Sequence, residues 1–225
     1  MKTLYLECKM GAAGDMLMSA LLELFPEPEQ ELNRLNGLGI PGVTYAMEKT
    51  EKCGILGTHV TVTVNGQEEY SHDHVHDHEH GHDHEHEHHH DHAMEAQEHR
   101  HEHVHEHDHE HHHKHDHDHA HTHHHTSMAD ITHIMSHLPL PETVREQALG
   151  VYQSIAQAES RAHGKPVEEI HFHEVGAMDA VADVVGVCML MDRLKVDQVC
   201  ASPVHVGSGH VHCAHGILPV PAPAT

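Results

Sequence analysis

Residues 3–17 read Thr3-Leu4-Tyr5-Leu6-Glu7-Cys8-Lys9-Met10-Gly11-Ala12-Ala13-Gly14-Asp15-Met16-Leu17. Thr3–Cys8 has the make-up of a short buried strand, the paired glycines make a turn, and Met16–Phe25 then carries Leu17, Ala20, Leu21 and Leu24 at helical spacing. Outward from this opening the alternation of strand and helix continues. Pro26 and Pro28 open a second helix, Glu27–Leu35, that stops at Gly37 and Gly39. Val43–Lys49 and Thr58–Val64 alternate as the arms of a hairpin around Cys53-Gly54 and Gly57. Further on, Ser127 caps a helix Met128–His137, Pro139 and Pro141 separate it from an amphipathic helix Glu142–His163, and a largely apolar helix follows at Ala177–Leu194. Val199–His205 reads as a strand, and the proline-studded ending Leu218–Thr225 as extended chain with no later element to pack against. The expected fold is α+β, mixed strands and helices in one compact domain with a long disordered His-rich insert. Its parts are 1–70 (a βααββ portion), 71–127 (the His/acid-rich metal-binding insert) and 128–225 (helices and strands completing the domain).

The insert dominates the composition. From His72 to His125, 28 of 54 residues are histidine and 15 are Asp or Glu. Almost nothing in it gains by leaving water, so it cannot build a core. It offers imidazoles beside carboxylates, a donor set for Ni, Cu, Zn or Fe rather than for Mg or Ca. Its 15 acids against Arg100 and Lys114 leave −13, which protonated histidines balance only near about pH 6.5. Above that pH neutral imidazoles sit in a negative field that draws in divalent cations. At roughly four to six imidazoles per ion the tract has capacity for on the order of five to seven ions. The ligands expected are His72, His74, His76, His78, His80, His88, His89, His90, His111, His112, His113, His123, His124 and His125. Such a tract buffers metal; it cannot preorganise a catalytic site. The bland reading is a solvated insert with no selected role.

A formal net charge of −24 argues against nucleic acid or an anionic membrane as partner. Five cysteines without a C-x-x-C pair suggest free thiols in a reducing compartment. The N-terminus reaches Glu7 too soon for a signal peptide, and Asp179 and Asp183 interrupt the longest apolar stretch, so no membrane span is expected and the location expected is cytoplasmic.

Two constellations could carry chemistry. Gly11-Ala12-Ala13-Gly14-Asp15, between strand and helix, suits backbone approach to a phosphate; equally, it is a plain turn capped by Asp15. It lacks the Lys-Ser/Thr of a P-loop and the third glycine of a dinucleotide fingerprint. His171-x-His173-Glu174, followed by Asp179 and Asp183, is the second. In an extended segment His171 and His173 point the same way, and Asp179 and Asp183 lie one turn apart on a helix too apolar to bury them unpartnered. Alternatively Asp179 only compensates the helix dipole and Asp183 bonds backbone. His205, His210, His212 and His215 are irregularly spaced and read as surface or turn residues.

The blocks Gly11–Met16, His171–Ala180 and Val206–Gly209 with Cys213–Thr225 resemble the LarC-type nickel-insertion proteins, in order and over the whole chain, and a His-rich insert between the first two is similar to that family's. The resemblance implies insertion of Ni²⁺ into a pyridinium-3,5-bisthiocarboxylate mononucleotide, forming one nickel–carbon and two nickel–sulfur bonds, dependent on CTP with Mg²⁺ or Mn²⁺. The product would be the nickel-pincer nucleotide cofactor of lactate racemase-type enzymes. It implies as partners that mononucleotide, an apo-lactate racemase-type enzyme and, if the protein is split, a separate C-terminal half. The family's chains continue past the position of Thr225 into a ferredoxin-like domain, which is expected to be absent here. On this reading His171, His173, Glu174 and Asp179 form the catalytic neighbourhood, Gly11, Gly14 and Asp15 the phosphate-facing turn, and the tract collects nickel. The alternative is a non-catalytic nickel or zinc storage or delivery chaperone.

Overall fold

In chain order the elements are β1 (Thr3–Leu6), α1 (Gly14–Leu22), α2 (Pro28–Asn36), β2 (Val43–Lys52), β3 (Ile55–Val64), β4 (Thr126–Ser127), α3 (Met128–His137), α4 (Glu142–His163), β5 (His171–Phe172), α5 (Met178–Leu194), β6 (Gln198–Ala201), β7 (Gly209–Cys213) and β8 (Gly216–Val220). They come from a computed structural model that describes residues 1–68, 126–172, 174–213 and 216–225. All of these belong to the unit Met1–His74 with His123–Thr225. The histidine tract, His173 and His215 lie outside the described residues. Helices and strands combine as an α+β fold, as the sequence leads one to expect.

Strand β1 is shorter than the apolar run suggests and is half-buried, with Tyr5 58 % exposed. It pairs in parallel with β6, Thr3 opposite Gln198 and Leu6 opposite Ala201, and β6 likewise stops short of His205. Beyond the ladder the two chains stay together by other bonds. Cys8 N–H donates to Ser202 Oγ (2.8 Å), and His205 N–H donates to the Cys8 carbonyl (3.0 Å). Gly11, at φ +95, turns the chain back with its N–H on that same carbonyl (3.1 Å). A parallel pair sends both C-terminal ends the same way, the side on which ligands bind in parallel α/β arrangements.

The hairpin is longer than its alternating pattern implied. Cys53 (φ 55) and Gly54 (φ 76) alone make the turn, the positive-φ pair of a type I′ loop, so the ladder runs from Lys52–Ile55 to Val43–Val64. The two later helices, α3 and α4, have the bounds their capping signals indicate. Ser127 Oγ accepts from Asp130 N–H while Asp130 Oδ2 accepts from Ser127 N–H (2.8 Å), a full capping box. The proline-rich ending does find a partner: β8 pairs antiparallel with β7, Gly209 opposite Val220 and Cys213 opposite Gly216. Proline at 219 is tolerated because a two-stranded ladder leaves every strand an outer edge.

The core packs α1 and α5 against the β2–β3 hairpin and α4 against α5, around Met18, Leu21, Leu22, Val60, Val144, Ala148, Val181 and Val185. Helices α1 and α5 cross closely because glycine removes a side chain on each. A Cβ on Gly186 would lie 2.4 Å from Met18 Sδ, and one on Gly14 would lie 2.4 Å from Asp183 Cβ. Ser19 ties α1 to the hairpin, donating to the Asp15 carbonyl (2.7 Å) and accepting from Val60 N–H (3.0 Å). Arg193 on α5 grips buried Glu31 on α2 with two bonds of 2.9 and 3.0 Å. Among the described residues no helix is long and apolar enough to cross a membrane.

Candidate functional site: carboxylates where two helices begin

The crossing of α1 and α5 unites what the sequence presents as two separate constellations. Gly14 opens α1 and Asp15 follows it; Asp179 and Asp183 occupy the first two turns of α5. The carboxylate of Asp183 lies against Gly14, its Oδ2 2.5 Å from where a Cβ would be. Gly14 thus permits the close approach of an acid on another helix. Nor does Asp15 cap the turn. The N-cap of α1 is Ala13, that of α5 is Ala177, and neither helix has a side-chain cap.

Asp15, Asp179 and Asp183 are each half-buried. Burial and then the neighbouring charges of Asp15 and Asp179 push the Asp183 carboxyl up to about 7. Asp179 Oδ1 accepts from Ala180 N–H (2.6 Å), the dipole-compensating role open to a first-turn acid. Among the described residues Asp183 makes no backbone hydrogen bond, and no Lys or Arg pairs with any of the three acids.

Two tyrosines adjoin the cluster. Tyr45 on β2 donates its hydroxyl to the Ala182 carbonyl (2.8 Å), and burial followed by the Asp183 charge raises its pKa. Tyr152 on α4 is fully buried, stacked edge-to-face on Phe172 with ring centroids 5.6 Å apart. Its hydroxyl has no hydrogen-bond partner among the described residues, and burial, then Asp179 and Asp183, raise its pKa. Sequence reasoning missed both. The available signal was a polar ring at an otherwise apolar core position, since a buried phenol needs an acceptor.

The other sequence-derived candidates are placed differently. His171 is exposed on β5 opposite Ser127; its charge adds to the Ser127 hydrogen bonds that hold the Asp130 carboxyl low. The extended segment ends at Phe172, and Glu174–Gly176 is a 3₁₀ turn. Gly176 causes the reversal: its carbonyl accepts from Thr126 Oγ1 (3.0 Å), and a Cβ there would be 2.9 Å from Phe172 Cβ. The alternation expected of His171 and His173 turns on His173, which lies outside the described residues. Gly11 sits 3.7 Å, measured from an ideal Cβ, from the His205 carbonyl, so the glycine turn meets the loop after β6. His205 Nδ1 accepts from Gly207 N–H (3.2 Å), a turn role, and His210 lies on β7 opposite Pro219.

Among the described residues no group of three or more His, Cys, Asp or Glu is arranged to hold a metal ion. Cys8, Cys53, Cys188 and Cys200 are free thiols, and burial pushes Cys188 up to about 11, which keeps it protonated.

A family described as nickel insertion protein matches residues 4–225. Relatives named pyridinium-3,5-bisthiocarboxylic acid mononucleotide nickel insertion protein come from Clostridium acetobutylicum (40 % identical), Clostridium kluyveri (38 %) and Acetivibrio thermocellus (34 %), each over 100 % of this chain. The chain covers 49 %, 46 % and 44 % of them, about half the length of the curated relatives it matches. No solved structure matches it.

Proposed function

The chain belongs to the nickel insertion protein family, and from that premise we propose that it is the part of a nickel chelatase that receives the metal and presents a pyridinium-3,5-bisthiocarboxylate mononucleotide to it. The observation that carries this reading is the similarity along the whole chain to relatives named for that insertion. Nickel is cargo. One nickel–carbon and two nickel–sulfur bonds form on the substrate, so the protein's task is to orient the ring, exclude competing ligands and deliver Ni²⁺.

The parts divide that task. The tract's 28 histidines raise the local Ni²⁺ concentration, an effective-concentration gain that needs no fixed geometry. The neighbourhood of Asp179, with His171, His173 and Glu174, receives the ion. The turn Gly11–Asp15 and the uncapped N-termini of α1 and α5 face the substrate's anionic groups. CTP with Mg²⁺ or Mn²⁺ finds no triphosphate motif here: the turn has no Lys-Ser/Thr. We assign CTP to the part of the relatives that this chain does not span. The recipient of the finished cofactor would be a lactate racemase-type apoenzyme, and the working place the cytoplasm.

The test is to supply Ni²⁺, CTP, synthetic pyridinium bisthiocarboxylate mononucleotide and the missing half of a relative, and to follow the nickel adduct by mass spectrometry. Appearance of the adduct only when this chain is present supports the reading. Retention of nickel on the protein with no adduct means the alternative suggested by the tract, a storage or delivery chaperone.

A further inference from the structure

Helix α3 carries two exposed histidines, His133 and His137, outside the site described above. Residues four apart on a helix share a face, and here the two imidazoles meet, with ring centroids 4.4 Å apart and 63° between the planes. Two imidazoles that bind one ion side by side, each nitrogen about 2.0–2.1 Å from it, have centres roughly 4.5–5 Å apart. The pair stands close to that separation. A turn about χ2, which is broad for histidine, aims both rings at one point.

The surroundings orient the pair and favour a cation. His137 Nδ1–H donates to the His133 carbonyl (2.8 Å), which leaves the Nε2 lone pair of the neutral ring for a ligand. A metal-binding imidazole is commonly oriented by such a bond from its other nitrogen. The helix beneath is fastened at both ends, by the Ser127–Asp130 capping box and by Arg145, which donates to the carbonyls of Met135, Leu138 and Leu140 (3.3–3.4 Å) and is itself paired with Glu142. His137 is the last residue of α3, at the negative end of the helix dipole. Asp130, one turn before His133, is held low by its Ser127 hydrogen bonds and then by the His133 charge, so it adds a negative field beside the pair. Among the described residues no third His, Cys, Asp or Glu joins them to form a cage. Two protein ligands with water in the other positions make an open site, unlike the four-ligand closed sites of structural metals.

We propose that His133 and His137 form a fixed two-imidazole site for a divalent cation of the Ni, Cu and Zn group, occupied by Ni²⁺ in this protein. The proposal rests on the insertion function above only in naming the ion; the preference for that group of metals follows from imidazole as ligand. The site gives the folded domain an exchangeable station for the ion, on the first helix after the histidine tract.

The experiment reads stability, because the pair can chelate only while α3 is helical. An ion bound there raises the Tm of the full chain; the tract's histidines are the same in parent and variants, so the comparison cancels their share. Melts are run at about pH 7.5, where imidazoles are neutral, with and without NiCl₂ in excess of the tract's capacity. At about ten times the site's dissociation constant the folded-to-unfolded ratio rises about elevenfold, an increment in Tm of about 3–6 °C. His133→Ala and His137→Ala should each lose that increment, every variant being referred to its own metal-free melt. His59→Ala, on β3, should keep it. In the His137→Ala chain, Ala129→His places a partner four residues before His133 at an exposed position and should restore it. MgCl₂ at the same concentration should give none, since Mg²⁺ takes oxygen ligands. No increment in the parent chain, its retention in either alanine variant, an equal one with Mg²⁺, or no rescue by Ala129→His would overturn the proposal. Loss of the increment in both variants with no adduct from the parent chain keeps this site and sinks the insertion reading; an adduct from the parent chain with the increment retained in both does the reverse.

Discussion

Asp183 concentrates the chemistry of single residues in this protein. Its carboxyl is raised to about 7 by burial and by Asp15 and Asp179. Between about pH 4 and pH 7 the native state therefore binds more protons than the unfolded chain, so stability falls as pH rises through that window and is lowest above it. Asp183→Asn removes the liability. We expect it to stabilise the protein at pH 8 by about 1–2 kcal/mol, after allowance for solvent at a half-buried site, and to leave stability at pH 4 unchanged. Thermal melts across that range check both halves of the statement. Gly14→Ala should do the opposite, since its Cβ would fall 2.4–2.5 Å from Asp183 Cβ, Cγ and Oδ2. The overpacking should cost about 1–3 kcal/mol despite alanine's better helix propensity. In an Asp183→Ala background the same change should cost almost nothing, a double-mutant cycle readable from denaturation midpoints. This contact marks where sequence reading ran out. That Asp179 and Asp183 share a helix face follows from spacing, but that their counterpart is a glycine 169 positions away follows from nothing local.

At the scale of elements, legibility tracked punctuation. Helices α3 and α4 were readable to the residue because Ser127, Pro139 and Pro141 mark their ends chemically. The hairpin was readable in kind, and its arms grew only because two positive-φ residues suffice for the turn. The parallel partnership of β1 with β6 was not readable, because an apolar pattern fixes which face is buried and says nothing about the neighbour. The 3₁₀ turn at Glu174–Gly176 escaped for a related reason: it depends on Thr126 and Phe172, which meet only in the fold. How firmly the site's elements are joined can be tested at Ser19, which links α1 to β3. Ser19→Ala leaves the buried Val60 N–H without an acceptor and should destabilise by about 1–3 kcal/mol. Hydrogen exchange should then speed up at Val60 while the distant Ser127–Asp130 capping box keeps its protection. Unchanged exchange at Val60 would show that the link is replaced, by water or otherwise.

At the scale of the whole molecule, metal uptake and fold should separate. Residues 72–125 hold 28 of the 38 histidines and contribute almost no apolar surface. Their deletion should leave a cooperative melt and remove most bound Ni²⁺, as atomic absorption after dialysis would show. In the intact chain nickel loading should fall steeply from about pH 7.5 to pH 5.5 as imidazoles protonate. Unchanged stoichiometry across that range would transfer the ligand role to the carboxylates. The parallel pairing of residues 3–6 with 198–201 also has a consequence in time. A ribosome builds the chain from its first residue at roughly 5–20 residues per second, and β1 has no ladder partner until β6 has been made. All 54 tract residues are translated before α5 and β6 exist. If the tract gathers metal as proposed, then for several seconds of every synthesis the nascent chain carries its histidines before the two-helix crossing exists.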